Sequence, residues 1–332
     1  MKRRSFLAAT AALAGSAALP AALRAQDDPA LSSQTQALRV LLGKGRVQAI
    51  DAQTFLYEGR RYRGTAAVLP ETGQVISTVP IEQYLYSVVS REMPRSWPAE
   101  ALQAQAILAR TYVLQRSNPN RQYDLVPSEA DQVYTGVDAE AAQTSAAVDA
   151  TAGKALRYAG EFASIAYSSC CGGHTESSAD AWGGKPLPYL SGVPCDYCKD
   201  SQWYRWSQSI GFDQLRVALG AQAGDVGDLQ SITLDSPDAS GRPLFWTFTG
   251  SSGSARIKAS DVRRAAGTRV LPSLLVRKVY LQPTLQTASV DGAGLGHGVG
   301  FCQWGARGLA KSGAGSTGIL AFYFPGTTIG SS

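Results

Sequence analysis

Pro80-Ile81-Glu82-Gln83-Tyr84-Leu85-Tyr86-Ser87-Val88-Val89-Ser90-Arg91-Glu92-Met93-Pro94 runs into Arg95-Ser96-Trp97-Pro98-Ala99-Glu100-Ala101-Leu102-Gln103-Ala104. Proline is tolerated at the first helical position, so Pro80 opens a helix. Ile81, Tyr84, Leu85 and Val88 then fall on one apolar face. Pro94 ends that helix, because it has no amide hydrogen and clashes with the preceding turn. Ser96-Trp97-Pro98 starts a second helix, reaching about Arg116, with Ala101, Ala104, Leu108, Thr111 and Tyr112 on one face. Its small alanines allow close packing on a neighbour. Glu92 is thereby placed at the junction of two helices, in a tight turn and not on a free solvent face.

Upstream, Thr54 to Tyr57 and Tyr62 to Val68 flank Glu58-Gly59-Arg60, and Gln74 to Val79 follows Pro70-Glu71-Thr72-Gly73, two hairpin signals. Downstream, Ala139 to Ala152 predicts a third helix ended by Gly153. Lys154 to Tyr158 and Glu161 to Tyr167 read as a hairpin about Ala159-Gly160, and residues 168–201 as a cysteine- and glycine-rich loop. A short helix (Phe212 to Leu219), strands at 229–234 and 244–248 and a capped helix from Ser260 to Ala266 come next. The end is a Gly-rich loop, a helix from Gln303 to Lys311 and an aromatic strand around Phe322. Helices and antiparallel strands are mixed without βαβ alternation, which argues α+β and not a doubly wound sheet.

The 332 residues suit one large domain or two ordinary ones, and 44% hydrophobic against 17% charged residues excludes dominant disorder. Residues 1–25 combine a basic head with Arg3-Arg4 before Phe6-Leu7, an Ala/Leu stretch and a terminal Ala25, a secretory signal of twin-arginine type. Residues 26–37 read as a linker. Of the 31 basic residues four fall within 1–25, and none of the 26 acids does, so cleavage leaves a net charge of +1. That excludes a nucleic-acid footprint. No strongly apolar run of membrane-spanning length is present, so the mature chain has no membrane span.

Three clusters can carry chemistry. Glu92 lies in an apolar corner near Trp97, where desolvation favours the neutral carboxyl that a general acid needs; pairing with Arg91 or Arg110 is the competing reading. Cys171-x-x-His174 and Cys195-x-x-Cys198 have the spacing of two halves of a closed, structural zinc site, and equally allow a Cys171–Cys198 disulfide in an oxidising compartment. Gly294-Leu295-Gly296-His297-Gly298-Val299-Gly300 is no dinucleotide fingerprint. Its alternating glycines let the backbone approach something closely, with His297 and Gln303 projecting from the region. With only two histidines a three-histidine catalytic zinc is excluded.

Taken in order, these motifs resemble one family. They are Tyr62-Arg63-Gly64, Pro80 to Leu85, Ser90-Arg91-Glu92-Met93-Pro94, Trp97 to Ala106, Ala109-Arg110-Thr111-Tyr112, Gln132-Val133-Tyr134-x-Gly136, Gly172-Gly173-His174-Thr175-Glu176, Pro188-Tyr189-Leu190 and Gly296 to Gly300 with Gln303-x-Gly305-Ala306. Residues 40–328 closely resemble the SpoIID/LytB family, stage II sporulation protein D and its amidase-enhancer relatives. The resemblance implies a single SpoIID-like domain over 38–330 with an inserted β/α arm, a subdomain at about 205–280, in an exported protein of the periplasm or cell envelope. It implies peptidoglycan glycan strands as partner and a lytic transglycosylase that cleaves the MurNAc–GlcNAc bond with 1,6-anhydroMurNAc formation. The family's catalytic acid matches Glu92 and its helix arginine matches Arg110, a binding or orienting residue. For such an enzyme Tyr134, His297 and Gln303 are the expected groove residues for sugar hydroxyls and N-acetyl groups. No cofactor is implied for catalysis; a structural zinc is known in some members in the region matching 170–198. Two departures stand out: Cys302-Gln303-Trp304 where relatives often have Met or Ser and then Gln-Tyr, leaving Cys302 free or bridged to Cys170, and a fuller Cys195-x-x-Cys198 pair. The alternative is a non-catalytic wall-binding activator of an N-acetylmuramoyl-L-alanine amidase.

Overall fold

The computed structural model describes residues 36–220 and 226–332. The signal pattern, and the expected linker up to residue 35, lie outside the described residues. The chain begins with β1 (Ala37–Lys44), β2 (Val47–Ala49), β3 (Thr54–Tyr57), β4 (Arg60–Arg63), β5 (Thr65–Val68) and β6 (Gln74–Pro80). They form two antiparallel sheets, ordered β1-β6-β5 and β2-β3-β4. The β3–β4 turn places Glu58 at φ 48° and Gly59 at φ 74°, the paired left-handed residues that a two-residue hairpin requires.

Helices α1 (Ile81–Glu92) and α2 (Ala99–Arg116) follow. Pro80 caps α1 from outside rather than occupying its first turn, and Pro98 does the same for α2. The amide of Met93 still bonds to Val89, and Pro94 has none to continue the ladder. The single apolar face expected for α2 is replaced by burial almost all round. The cause is its central position. Ala106, Ala109 and Val113 pack with Leu85 and Val88 into the core beneath the first sheets. Ala101, Leu102, Ala104, Ile107 and Leu108 face a second core with Phe301, Ile319 and Tyr323.

Inside this sandwich lies one ion pair. Arg110 donates from Nε to Glu82 Oε1 at 2.8 Å and from Nη2 to Glu82 Oε2 at 2.6 Å. Its remaining donors reach the carbonyls of Lys154 and Val148, and Gly153 N donates to Glu82 Oε1. The pair thus ties α1 and α2 to the end of α3 (Ala142–Asp149) and to β7 (Lys154–Tyr158). Helix α3 is shorter than its alanines suggest, with a separate 3₁₀ turn over Val137–Ala139 before it.

Strand β8 (Glu161–Phe162) closes the hairpin with β7 but stops before Tyr167. Instead β9 (Tyr167–Ser168) pairs in parallel with a strand far down the chain, Phe301–Cys302. A short helix, α4 (Ser178–Trp182), follows in the cysteine-rich loop. Residues Trp206 to Gly292 then gather a core of their own around Ile210, Trp246, Phe248, Ile257, Val262 and Val290. Its elements are β10 (Trp206–Gly211), α5 (Phe212–Gly220), β11 (Leu229–Pro237), β12 (Pro243–Gly250), β13 (Gly253–Lys258), α6 (Ala259–Ala266), β14 (Val276–Gln282) and β15 (Thr287–Gly292). Its two antiparallel sheets are ordered β10-β15-β14 and β11-β12-β13. Helix α6 carries no side-chain cap, contrary to expectation.

Arg242, between β11 and β12, plugs this lobe into the rest. Its guanidinium meets Glu176 at 3.1 Å and donates to the carbonyls of His174 and Cys171. Gly298 sits directly against it. At φ 81° a Cβ there is strained, and it would lie 2.3 Å from Arg242 Nη2. The alternating glycines therefore do approach something closely, but it is the protein itself.

After β16 (Phe301–Cys302), α7 (Gln303–Lys311) and α8 (Ser316–Tyr323) precede β17 (Thr328–Ser331). The aromatic strand expected around Phe322 is the last turn of α8. Ile319, Leu320 and Tyr323 are its buried side, and packing of that side overrides the β-preference of the aromatics. Mixed helices and predominantly antiparallel strands make the fold α+β.

Replacing Arg110 by Met leaves the Glu82 carboxylate buried without a cation and costs about 3–5 kcal/mol of stability. Glu82→Met together with Arg110→Met recovers most of that loss, as denaturant unfolding of the wild type and the two variants will read out.

Candidate functional site

Glu92 is the last residue of α1, and Pro94 turns the chain away, so its side chain stands at the free end of the helix. It is half-buried. Its carboxyl lies on the wall of two adjoining clefts. One, of about 580 Å³, is lined by Ser168, Trp203, Arg263, Arg269, Gly296 and Gln303. The other, of about 530 Å³, is lined by Arg91, Tyr112, Asp131, Trp182 and His297. Glu92, Glu129 and Tyr167 belong to both. Both volumes fall in the ~300–1,000 Å³ range of ligand sites.

Burial pushes the Glu92 carboxyl above the ordinary carboxylate range, and the negative charge of Glu129 pushes it the same way. Hydrogen bonds from Gln303 and from the Tyr167 hydroxyl pull it down, without overcoming the burial. Gln303 Nε2 lies 3.4 Å from Glu92 Oε2 and 3.3 Å from Gln105 Oε1. The buried Gln105 therefore orients the Gln303 amide, which in turn holds the acid. No ion pair involves Glu92 among the described residues. Arg110 engages Glu82, ten residues earlier, which is roughly 15 Å back along the helix.

Of the sequence-predicted site residues, the structure brings Glu92, His297 and Gln303 to this cleft. His297 is fixed at both ring nitrogens: Val299 N donates to Nδ1 at 3.0 Å, and Nε2 lies 2.9 Å from Tyr167 O. Nδ1 is thus the acceptor and Nε2 carries the proton. Burial is the first cause that lowers its pKa, to about 4. Arg110 and Tyr134 do not reach the cleft, and the groove role expected of them is corrected. Arg110 is wholly buried on Glu82. Tyr134 is buried in a ring cluster, 4.7 Å from Tyr84 and 5.4 Å from Tyr62 between centroids. An arginine and a tyrosine on interior faces look the same in sequence as ligand-facing ones.

Sequence reasoning missed Glu129, Tyr167, Gln105, Trp182, Arg263 and Arg269. Tyr167 reaches Glu92 only because β9 pairs with β16, and the arginines arrive from the second lobe. No local pattern carries either signal.

The cysteine cluster also differs from expectation. The Sγ atoms of Cys171, Cys195, Cys198 and Cys302 all lie within 4.8 Å of one another. Cys302 takes the place expected of His174, whose Nδ1 lies 2.7 Å from its neighbour's carbonyl, Thr175 O. The Cys171–Cys198 disulfide is also corrected: these sulfurs are 3.7 Å apart, against ~2.05 Å for a bond, and Cys170 and Cys302 are unbridged. A separation of 3.7 Å suits the edge of an S₄ tetrahedron around zinc, about 3.8 Å for ~2.3 Å Zn–S bonds. The donors around the sulfurs fit thiolates. Cys171 N and Gly305 N point to Cys302 Sγ at 3.2 and 3.3 Å, and Tyr323 Oη lies 3.2 Å from Cys195 Sγ. A Cβ on Gly305 would come within 2.7 Å of Cys195 Sγ, so only glycine fits beneath the cluster.

Residues 70–158, which hold α1, α2 and Glu92, match the family described as Stage II sporulation protein, SpoIID. Residues 195–300, which include the second lobe together with Cys195, Cys198 and His297, match a Domain of unknown function, DUF8618. An uncharacterized protein of Brachyspira hyodysenteriae is 32% identical over 83% of this chain and 74% of its own length. The Stage II sporulation protein D of Bacillus subtilis is 26% identical over 77% of this chain and 76% of its own. The Amidase enhancer of Bacillus subtilis is 29% identical over 74% of this chain, which spans 40% of that longer protein. Fold and site define a two-lobed α+β protein with an acid at its cleft. The chain belongs to the SpoIID/LytB family.

His297 is expected to stay neutral across the physiological range, with its ring signals titrating near pH 4 by NMR. Because its folded pKa lies below the unfolded value of about 6.5, the unfolded chain binds the proton first. Its contribution to stability is therefore lost as pH falls from about 6.5 toward 4, and His297→Asn flattens that part of the stability profile.

Proposed function

We propose that this chain is an exported peptidoglycan lytic transglycosylase that cleaves the MurNAc–GlcNAc bond and leaves a 1,6-anhydro end. The observation that carries this reading is Glu92 itself: a carboxyl held above its usual range, in no ion pair among the described residues, where two sugar-sized clefts meet. Protonated Glu92 donates to the bridging oxygen, and an oxocarbenium-like centre develops at the MurNAc C1. Ionised Glu92 then takes the proton of the C6 hydroxyl as that oxygen closes on C1. One carboxyl serves both steps because no water is activated. Gln303 and Tyr167 hold the carboxyl in place through both protonation states. Neutral His297 shapes the cleft and moves no proton.

The four thiols form the donor set proposed for a structural zinc. Cys171, Cys195, Cys198 and Cys302 would fill all four of its positions, so it would cross-link the 171 loop, the 195–198 turn and the start of α7 and leave no open position for substrate. The Amidase enhancer relative supports a second reading, a wall-binding partner of a cell-wall amidase acting through the same cleft. No helix among the described residues is long and apolar enough to cross a membrane.

Glu92→Gln abolishes release of anhydro-ended fragments from purified glycan strands while the fold is retained. Mass spectrometry distinguishes the products, since the anhydro fragment is lighter than the hydrolytic one by one water. Undiminished anhydro release by the variant removes Glu92 from the role and leaves wall binding. In the wild type kcat/KM falls as pH rises, because the acid form is lost; that limb should lie above the ordinary carboxylate value of 4.5. Metal analysis is expected to find about one zinc per chain, lost in Cys302→Ser and kept in His174→Ala. Chelation should lower the unfolding midpoint.

A further inference from the structure

Trp182 is the most exposed aromatic ring among the described residues, with 59% of its surface open. It is nevertheless firmly placed. It ends α4, whose first turn is held by Ser177, which accepts from the amides of Ala179 and Asp180. Gly183, at φ 76°, turns the chain away immediately after it. The indole leans on the His297 ring, with centroids 5.2 Å apart and planes at 54°. His297 is itself pinned at both nitrogens. A large apolar side chain normally hides from water, and here it stands exposed against a single ring neighbour.

The indole also lines the cleft that Glu92 lines. Arg91, Glu129 and Asp131 share that cleft and offer a polar rim. A rigid aromatic plane with charged hydrogen-bonding groups beside it suits a ligand with one apolar and several polar sides. A β-1,4-linked N-acetylated pyranose has this character. Its substituents are equatorial, so its ring faces carry only C–H bonds, while its hydroxyl and amide groups project around the edge. The slightly positive C–H face complements the negative face of the indole.

We propose that Trp182 is a substrate-binding platform that stacks a pyranose ring of the glycan strand, away from the bond facing Glu92. This rests on the glycan reading above and adds a binding residue to it. The platform grips through apolar contact, so it sets affinity for longer strands and moves no proton. Fixing by His297 matters because a pre-placed ring loses little freedom when the sugar arrives.

The test uses the full chain carrying Glu92→Gln, so that binding is read without cleavage. The probes are the hexamer of β-1,4-linked N-acetylglucosamine, by calorimetry, and purified glycan strands, by co-sedimentation. Adding Trp182→Ala is expected to weaken hexamer binding by about tenfold or more, and Trp182→Phe to restore most of it. Hexamer should change the indole emission of the Glu92→Gln chain, and the change should shrink in Trp182→Phe. Trp182→Gln, whose side chain suits an exposed position, gives the same reading if Ala lowers the unfolding midpoint. Equal hexamer affinity with and without the indole overturns the platform alone. No binding of either probe overturns the platform and the glycan reading together. Trp182-dependent binding by a protein whose wild type releases no anhydro product overturns only the catalytic reading.

Discussion

The buried Glu82–Arg110 pair ties together the elements on which the site is built. It sits between α1 and α2, closed off from solvent, and each partner satisfies the other's charge. Arg110 uses its other donors on the carbonyls that end α3 and begin β7. That guanidinium is committed at one end of α1, and the carboxyl at the other end makes no ion pair among the described residues. Two glutamates on one helix thus acquire opposite characters. Glu82 is a paired anion in the core, and Glu92 is a desolvated acid at an opening. The separation follows from helix geometry, since ten residues of rise cannot be bridged by one arginine.

The acid is held by elements distant in sequence. Tyr167 comes from β9, Gln303 from the first residue of α7, and Gln105 from the buried side of α2. Parallel pairing of β9 with β16 aligns the first two. The thiol cluster anchors the same place from behind, because Cys302 is the residue immediately before Gln303 and caps α7. The zinc proposed for this cluster would, through Cys302, also restrain the amide that touches Glu92. The second lobe completes the cleft by bringing Arg263 and Arg269 to its opposite wall. Arg242 fixes that lobe through Glu176 and the backbone of the cysteine loop.

Much of this was legible residue by residue. The helix pair around Glu92 could be read from its prolines and its apolar spacing, and the first hairpin from Glu58-Gly59. Burial of Glu92 could be anticipated because a proline-broken turn between two apolar helices leaves little room for solvent. Three of four metal-type donors were marked by their spacing. The fourth was not, since Cys302 is 104 residues beyond Cys198 and spacing rules reach only along a local turn. His174 had the right spacing, but the β-bridge between His174 and Pro194 and its contact with Thr175 take its ring elsewhere. The strand expected at Phe322 failed for a related reason: aromatic content speaks for local preference, and burial against the thiols and Phe301 decided the helix.

By itself the sequence determined the class of fold, the family, the place of Glu92 at a helix end and the identity of three of the clustered thiols. These are properties of short segments, set by proline chemistry, apolar period and ligand spacing. Only tertiary structure decided that Arg110 and Tyr134 belong to the interior, that Tyr167, Glu129 and Gln303 converge on the acid, that Cys302 joins the thiols and that Trp182 stands open beside His297. The physical reason is that a side chain's charge state and exposure depend on what folds against it, and those partners lie tens to hundreds of residues away.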